Sequence, residues 1–337
     1  MKRYIFLSIF LTSIFFWQCN NELDVNDKWK DYTVVYGILN PKDTSQIIRI
    51  SKSFLGIGNA YQMAQIADSI YYNKPLTVKL EEWINGNLIK TINLNKDSTI
   101  ERDSGIFAYN KNYYYKTNEI LNSNAIYKLI INIDGKIVSS ETKMIGDFPF
   151  VTLPSMISFS TTSNFKFSFK TPTNARIFQA YMHFYYYEIT ATDTIKKKME
   201  IPFGKNISNS IEGNEIINIE YPGIKFYGDV AAKIKDSPEV IKRVVSQNAI
   251  QLIVYAGSNE MYAYMQVCAP STNLSMDKPS YSNIQNGIGL FTCRYTKYDQ
   301  FRQLTQRTID SLAMGQYTKH LKFLNYSNSI YFWQYLP

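Results

Sequence analysis

The chain reads as a mainly β protein, with an N-terminal immunoglobulin-like antiparallel β-sandwich followed by a second β-rich domain carrying a few short helices. Three observations predict this. Runs of β-branched and aromatic residues recur between turn signals throughout residues 31–146. Asn85-Gly86 and Asp134-Gly135 each sit between two such runs, and these dipeptides are the strongest short-range hairpin signal a sequence offers. The 27 Tyr and 20 Phe suit half-buried pleated surfaces, where a ring covers apolar surface while a phenol reaches water. With 337 residues the chain exceeds what one core usually serves, so two domains are expected.

Residues 32–39 (YTVVYGIL) and 46–54 (QIIRISKSF) alternate as strands about the turn 40–43 (NPKD). Residues 56–68 then carry Ala60, Met63, Ala64 and Ala67 on one side of a short helix that Asn59 can cap, a candidate contact surface. Residues 76–83 and 88–94 flank the first hairpin turn, and residues 105–115, 125–133 and 136–144 complete seven strands. That number of short strands in about 115 residues matches an immunoglobulin-like sandwich. No cysteine pair bridges its sheets, so apolar packing must hold them together.

Two prolines in residues 146–155 break the alternation, which places a linker at 147–155 and the second domain at 156–337. Residues 165–169 alternate strictly. The run Tyr181-Met-His-Phe-Tyr-Tyr-Tyr187 gives a strand with two apolar or aromatic faces. It is either a central strand covered on both sides or an aromatic binding platform. Residues 196–201 pair with it across a turn at Asp193, and 226–234 form a short amphipathic helix. Ser237-Pro238 is placed to open another helix, with serine as cap and proline at the first helical position. Residues 249–255 read as a strand. Ser258 then caps a helix with Met261, Tyr264, Met265 and Cys268 at helical spacing, residues more suited to packing than to binding. A strand over 288–295 is entered through Asn286-Gly287, and Gly289 permits close backbone approach. Residues 298–314 read as a helix stopped at Gly315, followed by closing strands at 322–326 and 330–333.

Lys2 and Arg3 precede an apolar stretch at 5–17, the pattern of a secretory signal peptide over residues 1–18. Thirteen helical residues span only ~20 Å, short of a hydrocarbon core of ~30 Å. Cys19, followed by Asn20, Asn21, Glu22 and Asp24, resembles the lipobox of a bacterial lipoprotein, although Gln18 and Phe16 replace the usual small and aliphatic residues. A lipidated Cys19 makes residues 19–30 a tether and holds the chain at a membrane, since each buried CH₂ contributes about 0.8 kcal/mol. An ordinary cleaved leader is the alternative. In an oxidising compartment Cys268 and Cys293 either form a disulfide or stay as buried free thiols, and their spacing leaves both open.

The charge is +8, or +6 once Lys2 and Arg3 leave with the leader, and the only basic run, Lys196 to Lys198, lies beside Asp193 and Glu200. A solvated turn explains that run, so no nucleic-acid partner is expected. His183 and His320 are the only histidines and fall in separate elements, which supports neither a zinc site nor a Ser-His-Asp triad. Gly56-Ile-Gly58 and Gly287-Ile-Gly289 lack the third glycine of a dinucleotide loop, and Glu81 and Glu82 point to opposite faces of a strand. No cofactor, metal or catalytic residue is expected.

Four stretches carry a resemblance: residues 36–41 (YGILNP), 54–60 (FLGIGNA), 258–264 (SNEMYAY) and 282–291 (SNIQNGIGLF). In this order they resemble the Bacteroidota outer-membrane lipoproteins of unknown function commonly encoded beside TonB-dependent receptors. The resemblance implies a β-rich extracytoplasmic protein without established catalytic residues. The expected role is a non-enzymatic, lipid-anchored accessory or structural partner in a TonB-dependent uptake or envelope system. The alternative is a glycan- or peptide-binding surface lipoprotein using exposed aromatic residues. Candidate interaction surfaces are the glycine-rich stretch with Asn59, Tyr61 and Asp68, and the later block with Asn283, Asn286 and Gly287. Structural turns compete as the explanation of each.

Overall fold

The computed structural model describes residues 32–53, 60–101, 103–108, 112–268 and 280–336. The leader, Cys19, its tether and Asn59 lie outside the described residues. The fold is mainly β, with large antiparallel sheets and a few short helices.

The first seven strands are β1 (Thr33–Leu39), β2 (Gln46–Lys52), β3 (Thr77–Ile84), β4 (Asn87–Asp97), β5 (Tyr114–Thr117), β6 (Ile126–Ile133) and β7 (Lys136–Lys143). Two helical pieces, α1 (Ala60–Ala64) and α2 (Ala67–Ile70), lie between β2 and β3. Both hairpin turns form as their dipeptides require: Asn85, Gly86, Asp134 and Gly135 all have positive φ, as a type I′ turn demands. Period-two alternation decides which side chains enter the core. Val78 and Leu80 of β3 face Ile131 and Leu129 of β6, and all four are buried. At the next inward pair Tyr127 donates its hydroxyl proton to Glu82 Oε2 at 2.9 Å, which satisfies the buried carboxylate.

The later strands are β8 (Phe150–Thr152), β9 (Met156–Ile157), β10 (Asn164–Lys170), β11 (Ala175–Ile189), β12 (Thr194–Ile207), β13 (Ile216–Pro222), β14 (Lys242–Ser258), β15 (Gly287–Tyr298) and β16 (Gln303–Leu304). Among them lie α3 (Gly223–Lys233) and α4 (Asn259–Val267), and the described chain closes with α5 (Gln306–Met314) and α6 (Tyr326–Trp333). The main sheet has eleven strands in the order β12-β11-β14-β15-β1-β2-β5-β4-β3-β6-β7, so strands from both sides of residues 147–155 share it.

The shared strand is β15. Its first half, from Gly287 to Cys293, pairs in parallel with β1, and its second half, from Arg294 to Tyr298, pairs antiparallel with β14. Gly289 makes the parallel pairing feasible: its φ is +124°, and a Cβ there would lie 2.0 Å from the Val35 carbonyl oxygen. An antiparallel bridge between Ser139 and Gln285 also brings the edge strand β7 back to the start of β15. The N-terminal strands therefore close on themselves through a strand that lies far along the chain. A single buried apolar cluster runs from Val35 and Tyr127 through Phe148 and Phe178 to Phe323.

A smaller sheet, β13-β10-β8, supplies Phe165, Phe167, Phe169, Ile217 and Ile219 to the same cluster. Phe169 meets Phe178 of β11 at 5.3 Å between ring centres, and Phe226 of α3 stacks on Phe159 at 4.0 Å. These contacts cover one face of β11 completely.

Five local expectations are corrected. Among the described residues of the strand read over 105–115, only Tyr114 and Tyr115 are in a strand, Tyr114–Thr117, and Ser237-Pro238 leads into a turn rather than a helix. The helix read over 298–314 is confined to Gln306–Met314, because Tyr298 still belongs to β15 and Leu304 to β16, which pairs with β9. Of the closing strands read over 322–326 and 330–333, the first is only an isolated bridge from Phe323 to Arg243 and the second lies in α6. Asn325 caps that helix by accepting from the Asn328 backbone N–H. Aromatic and β-branched residues in a short run do not separate helix from strand, and here the cap decides.

Candidate binding face

The two faces of β11 have different fates. Phe178, Ala180, Met182 and Phe184 point into the core. Gln179, Tyr181, His183 and Tyr185 point the other way, and cross-strand register aligns them with Tyr255, Ile253 and Gln251 of β14. Arg294, Thr296 and Tyr298 of β15 extend the same face. Tyr298 is 52% exposed and Phe301, just beyond it, is 46% exposed. Of the two readings of the tyrosine run, one face is a covered core surface; on the other, His183, Ile253 and Thr296 are buried, Tyr181, Tyr185 and Tyr255 are half-buried, and Tyr298 and Phe301 are exposed.

Polar side chains thread this surface. His183 Nε2 lies 3.0 Å from Glu200 Oε2, and its Nδ1 lies 3.3 Å from the Tyr185 hydroxyl, which is also 3.3 Å from Gln251 Oε1. A carboxylate only accepts, so Nε2 is the protonated nitrogen. The single hydroxyl proton of Tyr185 then goes to Gln251 when Nδ1 is protonated, or to Nδ1 when it is not. Burial, followed by the Glu200 charge, pushes the Tyr181 phenol up. Burial and neighbouring Tyr298 push Tyr185 and Tyr255 up as well. These phenols stay neutral at physiological pH and remain donors as well as acceptors. Tyr185 meets Phe301 edge-on at 5.5 Å.

At one end the surface deepens into a groove of about 320 Å³ beneath α4. Ile38, Ile177, Tyr181, Tyr255, Met261 and Met265 form its apolar lining, with Gln179 and Arg294 as polar members. Ser258 starts α4 by accepting from the Met261 backbone N–H at 3.3 Å, and its hydroxyl contacts Thr292 Oγ1 at 2.6 Å, which ties the helix start to β15. Gly257 lets the helix sit close: a Cβ there would lie 2.6 Å from Met261 Sδ and 2.9 Å from Ile177 Cγ2. No residue of α4 is fully buried. Tyr264 meets Tyr36 edge-on at 6.3 Å, and that partnership, with burial, pushes the Tyr264 phenol up to about 12.

None of the interaction-surface residues nominated from the sequence lines this groove. Tyr61 and Asp68 are exposed on α1 and α2, and Asn59 lies outside the described residues. Asn283 gives both ends of its amide to the Phe291 backbone, donating to its carbonyl at 2.6 Å and accepting from its N–H at 2.9 Å. Asn286, at φ 56°, donates to the Ile137 carbonyl at 2.9 Å, and Gly287 pairs with Thr33. These three positions join β7 and β1 to β15.

Cys293 and Cys268 are both free thiols, so the disulfide alternative is not formed. The Cys293 thiol is buried in the core and donates to the Lys143 carbonyl, and burial pushes it up to about 12. Cys268 is exposed at the end of α4 and so stands apart from the core. Among the described residues no group of three or more His, Cys, Asp or Glu is arranged to hold a metal ion, and no helix is long and apolar enough to cross a membrane.

The groove residues missed from the sequence come from five separate elements. The period-two tyrosines of β11 were the visible signal, but the partners that make them a groove are not local to them.

A family model described as a domain of unknown function, DUF4249, matches residues 20–298. No curated protein matches the chain. Among solved structures, the chain is similar to one from a cytokine receptor complex, at 8% identity over 68% of this chain and 86% of that one, with a TM-score of 0.18. It is also similar to a D1-D4 ectodomain fragment of ICAM-5, at 6% identity over 82% of this chain and 51% of that one, again with a TM-score of 0.18.

Proposed function

The chain belongs to the DUF4249 family of unknown function, and from that premise we propose that it is a non-enzymatic lipoprotein of the bacterial outer membrane that acts as an accessory partner of a TonB-dependent receptor. Cys19 carries the lipid anchor, residues 20–30 are the tether, and the face bearing Tyr181, Tyr185, Tyr255 and Tyr298 meets the partner. The observation that carries this reading is the asymmetry of β11, β14 and β15. One face is core, while the other keeps a part-exposed aromatic surface whose most open members are Tyr298 and Phe301. Extended patches of this kind mark interaction sites, and aromatic side chains are enriched at their centres.

The test is chemical cross-linking of the tagged protein in its native membrane, followed by purification. The expected result is recovery of one receptor with the wild type and its loss with Cys19→Ala, which should also move the protein into a soluble fraction. Recovery of no specific envelope protein overturns the accessory role.

A second reading, glycan binding, is favoured by the row of Tyr181, Tyr185, Tyr298 and Phe301 interleaved with Glu200 and Gln251. Rings can stack on sugars while amide and carboxylate groups bind hydroxyls. Glycan-array binding that disappears in Tyr298→Ala supports it, and an array without hits removes it.

A further inference from the structure

We propose that the open edge of β4 receives an extended segment of a partner polypeptide, which joins the sheet as a further strand. β4 changes neighbour along its length: residues 87–94 pair with β3, and residues 95–97 pair with β5 on the other side. β5 stops at Thr117, whose hydroxyl accepts from the Glu119 N–H at 3.2 Å and turns the chain off the strand line. Between the two segments a cleft of about 450 Å³ remains, lined by residues 90–93 of β4 and residues 117–119. That volume lies within the range of ligand sites.

The main chain identifies the occupant. Consecutive residues of a strand point to opposite faces, so a cleft lined by residues 90–93 runs along the edge of β4 rather than over one face. In an antiparallel pair alternate residues turn their N–H and C=O groups away from the partner. Among the described residues, nothing bonds to those groups of residues 90–93 on the side away from β3. An edge of this kind offers donors and acceptors at strand spacing, which another extended backbone matches. The pairing with β3 skips Ile89, a bulge that closes the opening at one end, and Asn95 pairs with Lys116 at the other. The opening therefore takes about four residues of an added strand.

The walls decide which side chains that strand carries. Ile92 and Leu94 are buried toward the core, while Thr91 and Asn93 are exposed on the opposite face. Small apolar residues suit the first face and hydroxyl or amide residues the second, so the segment alternates between them. Lysine at an open edge ordinarily deters pairing. Here Lys90 and Glu119 pair at 2.5 Å from opposite walls, and the other lining residues are uncharged, so the occupant needs no net charge. The cleft shares no residue with the aromatic face, and the accessory role can stand or fall without it.

The test uses the full chain in detergent and a fluorescein-labelled hexapeptide, Thr-Val-Asn-Val-Thr-Val, read by anisotropy. Two control peptides carry N-methyl groups on alternate amides, one on the Val residues and the other on the Thr and Asn residues. Saturable binding of the probe is expected, with at least one control tenfold weaker, because one alternate set of amides must meet β4. Asn93→Trp, at an exposed position that fills the cleft, should weaken the probe at least tenfold, while Tyr331→Ser on α6 should leave it unchanged. Unchanged circular dichroism shows that the variants fold. Cleft-facing amides of residues 90–93 should exchange hydrogen at least tenfold more slowly once the probe is bound. No saturable binding up to millimolar probe, controls that both match the probe, or full affinity in Asn93→Trp overturns the proposal. A concentration-dependent dimer that Asn93→Trp abolishes also overturns it, because a second copy of the chain then fills the edge.

Discussion

Arg243 is 1% exposed and shows what a buried charge requires. Its Nε and one terminal nitrogen both donate to Glu188 Oε1, at 3.0 and 2.8 Å, and it also donates to the backbone carbonyls of Leu321 and Lys235. The guanidinium thus fastens β14 to the chain just before α6, where Phe323 bridges Arg243. Arg243→Ala leaves the part-buried Glu188 carboxylate with only the longer Lys197 pair, at 3.6 Å, and takes the donor from two carbonyls, so the cost falls at or below the low end of the roughly 3–5 kcal/mol of a broken buried pair. The expected outcome is a fall of that size in urea unfolding free energy. Arg243→Met combined with Glu188→Leu should recover most of the loss, because it removes the uncompensated charge together with its partner. Failure of the double variant to recover stability counts against desolvation as the source.

At the scale of elements, Gly289 is the position where the fold has least freedom. An alanine there must hold φ near +124° and force its Cβ into the Val35 carbonyl, so Gly289→Ala should destabilise by about 3 kcal/mol or more through strain and lost β1–β15 pairing. Gly105→Ala, with open space around it, is the comparison, and equal midpoints for the two variants sink the argument. The close approach at Gly289 and both hairpin turns were legible in the sequence, because each depends on a dipeptide or a single residue type. Strand existence was legible too, since alternation is local. The parallel partner of β1 was not, because Thr33 and Gly287 are joined only by register, and nothing near either residue encodes the other. The groove was hidden for the same reason: Ile38, Tyr181, Tyr255, Met265 and Arg294 meet only once five elements have assembled. Helical spacing assigns Met261 and Met265 to packing because it reveals which face is apolar, not whether another layer covers it.

For the whole molecule, two predictions follow from how one core unites distant strands. Burial, reinforced by neighbouring carboxylates, pushes the phenols of Tyr127, Tyr221 and Tyr295 well above their ordinary value near 10, and burial pushes Tyr186 up to about 12. Their folded-state pKa values exceed the unfolded ones, so their contribution to stability is complete below about pH 10 and is lost as pH rises toward 12 and beyond. Phenolate absorbance from these groups should therefore appear together with loss of the circular dichroism signal; free ionisation near pH 10 in the folded protein refutes the burial argument. The second prediction concerns autonomy. Residues 31–146 were read from the sequence as a domain, but in the assembled fold β1 takes β15 as its parallel neighbour and β7 is bridged by Gln285. Without β15, both strands present unpaired backbone groups, and Val35, Leu39 and Val138 lose Phe291 and Cys293 from their shared cluster. A fragment of residues 31–155 should thus aggregate or lack dispersed amide resonances. The same fragment with residues 280–298 joined through a flexible linker should fold, because it regains the donated strand. If the fragment without that addition already gives a cooperative unfolding transition, β15 is an accessory to the N-terminal fold rather than a part of it.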